Sequence, residues 1–254
     1  MLPHNVFMQL CILQGQYVSG LYDIPGITLD VVSIDLMHTG DLGVLLFLYG
    51  NVLWELFVQI GGTAGDPGEA LGDLMTMIKS ASKAVGQERP PFNKLTLGML
   101  KQPGKSPALK AKAAESRYML PVILYILETY FKVCTDHEIL RHRCVQTISD
   151  MYKKMRPAPG EVFDGAAVGK LARQHLILYT ELARESLESR RHLTDGWVMW
   201  RWMPKHHLFN HFEGQVAVSG SPAECWCYMD ESAIGEAVKV AESCHASTLH
   251  KLVF

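Results

Sequence analysis

Apolar residues recur at helical spacing along most of the chain, and this pattern predicts a mainly α-helical fold. After the glycine-rich loop at residues 61–68, Pro and Gly clusters separate a series of amphipathic stretches. We expect helices at residues 69–85, 94–100, 108–133, 136–155, 165–191, 205–218 and 231–244. Because Pro121 lies inside one of these stretches, the sequence also predicts a kink or a break there.

The N-terminal part has a different pattern. Residues 27–35 are rich in β-branched side chains that partly alternate with polar ones, which predicts a short strand. Gly40 is then expected to end this element, and Asp41 to cap the helix that follows. The fold class we expect is therefore a helical bundle with one or two strands at its N-terminal edge.

Residues 42–60 form an apolar run about as long as a membrane-spanning helix requires. The run nevertheless contains Asn51, Glu55 and Gln59, and an ionised carboxylate in hydrocarbon costs roughly 2.5 kcal/mol or more. We therefore expect a helix buried in a protein core and no membrane partner.

Composition and charge narrow the function classes. Hydrophobic residues make up 48% of the 254 positions, which is typical of a globular protein. The 24 Lys and Arg residues are offset by 26 Asp and Glu residues, so any DNA contact must come from a local basic patch. The six cysteines are scattered and no secretory signal precedes them, which predicts reduced thiols and a nuclear or cytoplasmic location.

The first candidate motif is a D-x-x-H sequence formed by Asp35 and His38. It lies where the predicted strand gives way to the apolar helix. A carboxylate and an imidazole at this spacing suit catalysis or metal binding. The alternative is a capping Asp followed by a histidine that packs beneath the helix.

A second motif is Arg117-Tyr118, a cation and an aromatic at the start of a long apolar run. A basic stretch rich in Pro and Gly precedes it. The lysines of this stretch are candidates for contacts with DNA phosphates: Lys101, Lys105, Lys110 and Lys112. Arg117 and the later Lys205 are further candidates. The alternative is a solvated loop and an exposed helix edge.

The third motif lies near the C-terminus, where the segment P-K-H-H-L-F-N-H at 204–211 is followed by C-W-C-Y-M-D-E at 225–231. Two histidines spaced i,i+4 and two cysteines can form a zinc site. The candidate ligands are His207, His211, Cys225 and Cys227. Packed histidines and buried thiols are the alternative.

In this order, the motifs resemble the C-terminal part of CACTA-type (En/Spm-like) DNA transposases, with a looser similarity to the hAT superfamily. The resemblance covers roughly residues 27–245. Those enzymes have a ribonuclease-H-like core interrupted by a long helical insertion. The resemblance implies a core remnant at residues 1–40, a helical insertion-like domain at 41–200, and C-terminal helices carrying the last acidic motif at 201–254.

The resemblance also implies site residues and a cofactor. Asp35 and His38 match the D-x-x-H motif of these families, and Arg117 with Tyr118 resembles their Arg–aromatic pair. Glu231, with Gly235 four residues on, matches the last catalytic carboxylate. Asp35, His38 and Glu231 are thus the implied catalytic residues, and Asp35 and Glu231 would hold Mg²⁺ for two-metal phosphoryl transfer.

One departure limits the implied activity. Two further catalytic Asp residues of these families lie well upstream of the D-x-x-H motif, whereas Asp23 and Asp30 are the only acids before Asp35. We expect a transposase-derived fragment that does not cut DNA by itself, binds no Mg²⁺ on its own, and retains DNA binding or self-association. The alternatives are an unrelated helical interaction module and a small zinc-binding protein.

Overall fold

The computed structural model describes residues 9–10, 13–14, 24–25, 33–62, 65–130, 135–189, 192–193, 197–224 and 227–243. In these residues the fold is mainly helical, as the apolar spacing predicts. The expected strand at residues 27–35 lies mostly outside the described residues, and residues 33–35 are not in a strand. The ribonuclease-H-like remnant at residues 1–40 that the resemblance implies remains a proposal.

The described helices follow one another with short connections. They are α1 (Met37–Gln59), α2 (Pro67–Ala84), α3 (Leu97–Leu100), α4 (Ala113–Thr129), α5 (Asp136–Lys154), α6 (Gly165–Glu188), α7 (Pro204–Asn210), α8 (Phe212–Ser219) and α9 (Tyr228–Ser243). Two short strands, β1 (His192–Leu193) and β2 (Trp197–Val198), pair antiparallel between α6 and α7. They are far along the chain from the N-terminal edge where strands were expected.

The first helix, α1, is the buried core helix expected from the apolar run. Its first part, Met37–Val44, is π-helical, and Leu45–Gln59 is α-helical. By length and composition α1 is the only helix in the described residues that could span a membrane, but 78% of its apolar window is buried inside the protein. It is therefore a core element of this fold.

Local capping explains where several helices begin. The side chain of Asp66 accepts a hydrogen bond from Gly68 N at the start of α2. Thr135 and Glu138 form a reciprocal capping box at the start of α5. Asp164 accepts from Ala167 N at the start of α6. These signals fix the helix starts close to the positions that the sequence predicts.

Two expectations about helix boundaries are wrong. Gly40 does not end an element and Asp41 does not cap one, because α1 begins before both residues and its π-helical part runs through them. Of the kink or break expected at Pro121, the structure excludes the break, since helix α4 is continuous through this residue. Pro121 is exposed, so the hydrogen bond that it cannot make falls on the solvent side of the helix.

The hydrophobic core is one continuous cluster that runs from Leu36 to Val216. All three segments proposed from the sequence contribute residues to it. Helices α5 and α6 pack against each other, and α1 packs against both α4 and α7. Gly50 permits the closest approach on α1, because a Cβ atom there would lie 2.3 Å from the Cα atom of Ala108.

A buried polar network ties α1 to α5 and to the segment after β2. Glu55 accepts hydrogen bonds from Arg141 Nη1 at 2.8 Å and from Trp200 Nε1 at 2.8 Å, and His137 Nε2 lies 3.0 Å from it. Asn51 Oδ1 accepts from the backbone N–H of Trp200 at 2.7 Å. Burial opposes ionisation of Glu55, but the hydrogen bond and charge of His137 and the charge of Arg141 outweigh it and lower its pKa.

Replacing Glu55 with Gln should lower the free energy of unfolding by about 3 kcal/mol, because Arg141 would be left buried without its counter-charge. Chemical denaturation at neutral pH measures this loss. Since the pKa of Glu55 is lowered, the stabilisation in the native protein is lost as the pH falls through that pKa. Glu181→Gln, which breaks an exposed ion pair with Arg184, is the control and should leave stability unchanged. Equal effects of the two substitutions would contradict the role given to Glu55.

Candidate functional site

The start of α1 is held by the side chain of Asp35. Its Oδ1 accepts from Met37 N at 3.0 Å and its Oδ2 from His38 N at 3.1 Å, which satisfies two backbone donors of the first helical turn. The capping Asp considered as an alternative for the D-x-x-H motif is therefore present. Asp35 also makes contacts that helix capping does not require.

Three side chains of different chemistry converge at this point. His38 Nδ1 lies 2.5 Å from Asp35 Oδ2, and Cys227 Sγ lies 2.9 Å from the same oxygen. Cys227 Sγ is also 3.3 Å from His38 Nδ1. The backbone N–H of Cys227 donates to Asp35 Oδ1 at 3.2 Å, so two contacts join residues 192 positions apart. We call these three residues the Asp35–His38–Cys227 cluster.

The cluster does not have the arrangement of a nucleophilic catalytic triad. In such a triad the thiol and the carboxylate contact opposite nitrogens of the imidazole, so that a proton can pass from one side to the other. Here the thiol and the carboxylate both approach His38 Nδ1. Three donor atoms that face a common point are typical of a metal site instead.

The ionisation of Asp35 depends on these contacts. Partial burial opposes ionisation, but hydrogen bonds from Cys227 Sγ, from the His38 ring and from backbone N–H groups lower its pKa below 3.8. The carboxyl group is therefore charged at neutral pH. It is the negatively charged member of the cluster.

A second centre lies one helical turn further along α1. Asp41 is fully buried, and its two oxygens accept from Tyr152 Oη and Tyr228 Oη, each at 2.7 Å. Gly40 leaves room for Tyr152, because a Cβ atom there would lie 2.7 Å from the tyrosine hydroxyl. The two tyrosines come from α5 and α9, so Asp41 joins three helices.

The pKa of Asp41 is raised to about 6. Burial is the largest cause, while hydrogen bonds from Tyr228 and Tyr152 and the charge of Arg117 partly oppose it. The negative charge of Asp35 adds to the increase. A buried carboxyl group with a raised pKa is frequent at functional sites.

Arg117 connects the second sequence motif to this centre. Its guanidinium lies over the ring of Tyr228, 5.0 Å from the ring centre. It also lines a cavity of about 240 Å³ together with two other cations, Lys153 and Arg156, and the hydroxyl-bearing Ser149. The described lining of this cavity therefore carries three cations and no acidic residue.

The P-K-H-H segment of α7 packs on the same end of α1. Lys205 Nζ donates to the carbonyl of Leu42 at 2.8 Å. A Cβ atom at Gly43 would lie 2.6 Å from the Lys205 side chain, so the glycine leaves space for this contact. His206 is buried and its pKa is lowered to about 4, chiefly by burial, so it is neutral at pH 7.

Two of the three implied catalytic residues, Asp35 and His38, lie close together. Asp35 and His38 are in contact, and Cys227 joins them directly before α9 begins. Glu231 lies in the first turns of α9, and its side chain is outside the described residues. The D-x-x-H motif and the helix that carries the last acidic motif therefore meet.

The six basic residues predicted for DNA binding do not form one patch. Lys105 and Lys110 are exposed and, with Arg201, line a cleft of about 440 Å³. Lys101 lies over the ring of Trp54. Lys112 precedes α4, where its backbone N–H donates to Glu115. Lys205 and Arg117 lie near the start of α1 instead, where Lys205 contacts the carbonyl of Leu42 and Arg117 lies over the ring of Tyr228.

The predicted zinc ligands are divided between two places. His207 Nε2 and His211 Nε2 lie 3.4 Å apart on the surface of the α7–α8 region. Cys227 lies with Asp35 and His38 instead, and Cys225 is outside the described residues. Among described residues, the Asp35–His38–Cys227 cluster is the only group of three such side chains close enough to hold an ion.

Sequence patterns did not identify Asp41, Tyr152 and Tyr228 as site residues. Asp41 fits a capping pattern, Tyr152 follows no motif, and Tyr228 lies in the C-W-C-Y-M-D-E segment, where the motif assigned it no role. The available signal was weak, namely a carboxylate at the start of an otherwise apolar helix that must find partners when it is buried.

No protein-family model, curated protein or solved structure matches this chain. Its function must therefore be inferred from its own geometry and from the order of its motifs.

The donor set can be tested against the Mg²⁺ that the resemblance implies. Mg²⁺ is a hard ion that demands octahedral oxygen ligands. The described cluster offers only one carboxylate, beside an imidazole and a thiol. These residues do not fit Mg²⁺, and no Mg²⁺-dependent step follows from them.

Replacing Asp41 with Asn should make stability less dependent on pH. Because the folded pKa of Asp41 is raised from 3.8 to about 6, its native state holds the proton more tightly than the unfolded chain. Wild-type stability should therefore fall by about 2–3 kcal/mol as the pH rises through this window, and Asp41→Asn should lack this loss.

Chemical denaturation of both proteins at pH 4 and pH 7 measures the difference. The stability of Asp41→Asn relative to the unmodified protein is expected to increase from pH 4 to pH 7. A stability difference that is the same at both pH values would contradict the raised pKa. Tyr152→Phe removes a hydrogen bond that lowers the pKa of Asp41, so it should raise this pKa further and extend the loss of stability to higher pH.

Proposed function

We propose that this chain is derived from a DNA transposase and acts as a DNA-binding protein without nuclease activity of its own. The observation that supports the proposal most is that all three sequence motifs contribute residues near one end of α1. Cys227 contacts Asp35, Tyr228 contacts Asp41, Arg117 lies over Tyr228, and Lys205 binds the carbonyl of Leu42.

This meeting argues against coincidence. The resemblance implies that Asp35, His38 and Glu231 converge. The alternative of an unrelated helical interaction module expects Asp35 and Glu231 to be far apart and exposed, whereas Asp35 contacts Cys227 directly before α9 begins. The ribonuclease-H-like remnant at residues 1–40 is part of this proposal.

The surface best suited to DNA is the cleft between α1 and the basic stretch. Lys105, Lys110 and Arg201 line it, and no acidic residue is among its lining residues in the described chain. Phosphate contacts by such cations supply most of the affinity of sequence-independent DNA binding. Because the whole protein is slightly acidic, binding should depend on this local patch.

Nuclease activity is not part of the proposal. The family mechanism uses three carboxylates, and the described cluster supplies one of them beside a thiol and an imidazole. Self-association, which the resemblance implies, is part of the same proposal. The location that we propose is nuclear or cytoplasmic, as the scattered cysteines indicate.

Binding to a fluorescent DNA duplex, measured by anisotropy at several salt concentrations, tests the proposal. Lys105→Ala combined with Lys110→Ala should weaken binding at least about ten-fold and reduce the salt slope by about 2. Lys79→Ala combined with Lys83→Ala removes the same charge from exposed positions on α2 and should change little.

Two results would overturn the proposal. One is an absence of salt-dependent DNA binding by the unmodified protein. The other is an equal loss of affinity in both double variants, which would show that net charge alone determines the binding. Cleavage of the duplex in the presence of Mg²⁺ would contradict the absence of nuclease activity.

A further inference from the structure

The Asp35–His38–Cys227 cluster has a geometry that neither helix capping nor DNA binding explains. Helix capping uses the Asp35 oxygens and backbone N–H groups, and it needs neither the thiol nor the imidazole ring. We infer that the cluster is a binding site for a zinc-type transition-metal ion, held by Asp35 Oδ2, His38 Nδ1 and Cys227 Sγ.

The distances between the donor atoms are close to those that a bound ion requires. With zinc–ligand bonds of about 2.0–2.3 Å, the edges of a tetrahedral ligand set measure about 3.3–3.6 Å. The three edges in the structure are 2.5, 2.9 and 3.3 Å, so hydrogen bonds now hold the triangle slightly tighter. An ion that replaces the shared protons needs side-chain shifts of less than an ångström or so.

Ion binding involves a defined exchange of protons. The thiol of Cys227 loses its proton to solvent and binds as a thiolate, while Asp35 binds as the carboxylate that it already is. The Nδ1 proton of His38, which now faces Asp35 Oδ2, is exchanged through solvent for a proton on Nε2, and the neutral imidazole binds the ion through the Nδ1 lone pair. A divalent ion thus meets two negative charges and one neutral ligand, and the site becomes neutral overall.

The exposure of the cluster allows an ion and a solvent ligand to reach it. The side chain of His38 is 46% exposed and that of Asp35 is 24% exposed. Three protein ligands plus one solvent molecule complete a tetrahedral zinc site. The other Asp35 oxygen stays bound to the backbone N–H groups of Met37 and Cys227, which fixes the orientation of the carboxylate.

The chemistry of the ligands selects the class of ion. One thiolate and one imidazole favour zinc and related transition metals over Mg²⁺ and Ca²⁺, which prefer oxygen. The proposed site also differs from the set of two histidines and two cysteines suggested by the sequence. It shares only Cys227 with that set, and it does not depend on the DNA-binding proposal.

Cobalt(II) is the probe that tests this site, because a bound thiolate gives it a charge-transfer absorption band that oxygen and nitrogen ligands do not. The full chain, freed of metal with a chelator, is titrated with Co²⁺ and then with competing Zn²⁺. We expect one Co²⁺ per chain, the thiolate band, loss of the band when Zn²⁺ is added, and a higher melting temperature with Zn²⁺.

Matched variants assign the ligands. Cys227→Ser keeps a donor for Asp35 but removes the thiolate, and it should abolish the band and weaken Zn²⁺ binding at least about 100-fold. His38→Gln should also weaken binding, and because His38 is half exposed this variant tests the site independently of folding. The controls are Cys225→Ser and the double variant His207→Gln with His211→Gln, both of which should bind as the unmodified protein does.

The inference is overturned if Co²⁺ binds without a thiolate band, or if Cys227→Ser binds Zn²⁺ as tightly as the unmodified protein. It is equally overturned if the controls lose binding while Cys227→Ser retains it, which would favour the histidine pair and Cys225. DNA binding by the same variants separates this result from the proposed function, since loss of metal with intact DNA affinity concerns the metal site alone.

Discussion

Two carboxyl groups at the start of α1 require partners, because a buried or half-buried carboxylate without hydrogen bonds is costly. The partners come from distant parts of the chain. Tyr152 and Tyr228 satisfy Asp41, and Cys227 contacts Asp35. This requirement draws the start of α9 onto the first helix. It also explains why a segment near residue 227 contributes to a site that begins at residue 35.

The same contacts bring chemically different groups together. The cluster at Asp35 combines a carboxylate, an imidazole and a thiol, and Asp41 behind it has a raised pKa. Arg117 and Lys205 add positive charge at the same end of α1. A cluster with this composition favours a transition metal over Mg²⁺.

Helix positions could largely be predicted from the sequence, because periodic apolar residues and caps such as Thr135 with Glu138 are local signals. Asp35 and His38 were found as a pair for the same reason, since they are three residues apart. Cys227 was a candidate zinc ligand and Tyr228 lies in the same motif. The contacts of Cys227 with Asp35, and of Tyr152 and Tyr228 with Asp41, could not be predicted, because a contact across more than a hundred residues leaves no local pattern. The π-helical start of α1 was also missed, and with it the burial of Asp41, which a capping pattern placed at a helix end.

The contact between Asp41 and Tyr228 is the most direct test of this account, since it joins the first and the last described helices. A double-mutant cycle with Asp41→Ala, Tyr228→Phe and the combined variant measures their coupling in the free energy of unfolding. The structure predicts a coupling of about 1–2 kcal/mol, because the hydroxyl donates to a buried carboxyl group. Strictly additive effects would mean that Tyr228 at the start of α9 does not contact Asp41, and the functional site described around this contact would not exist.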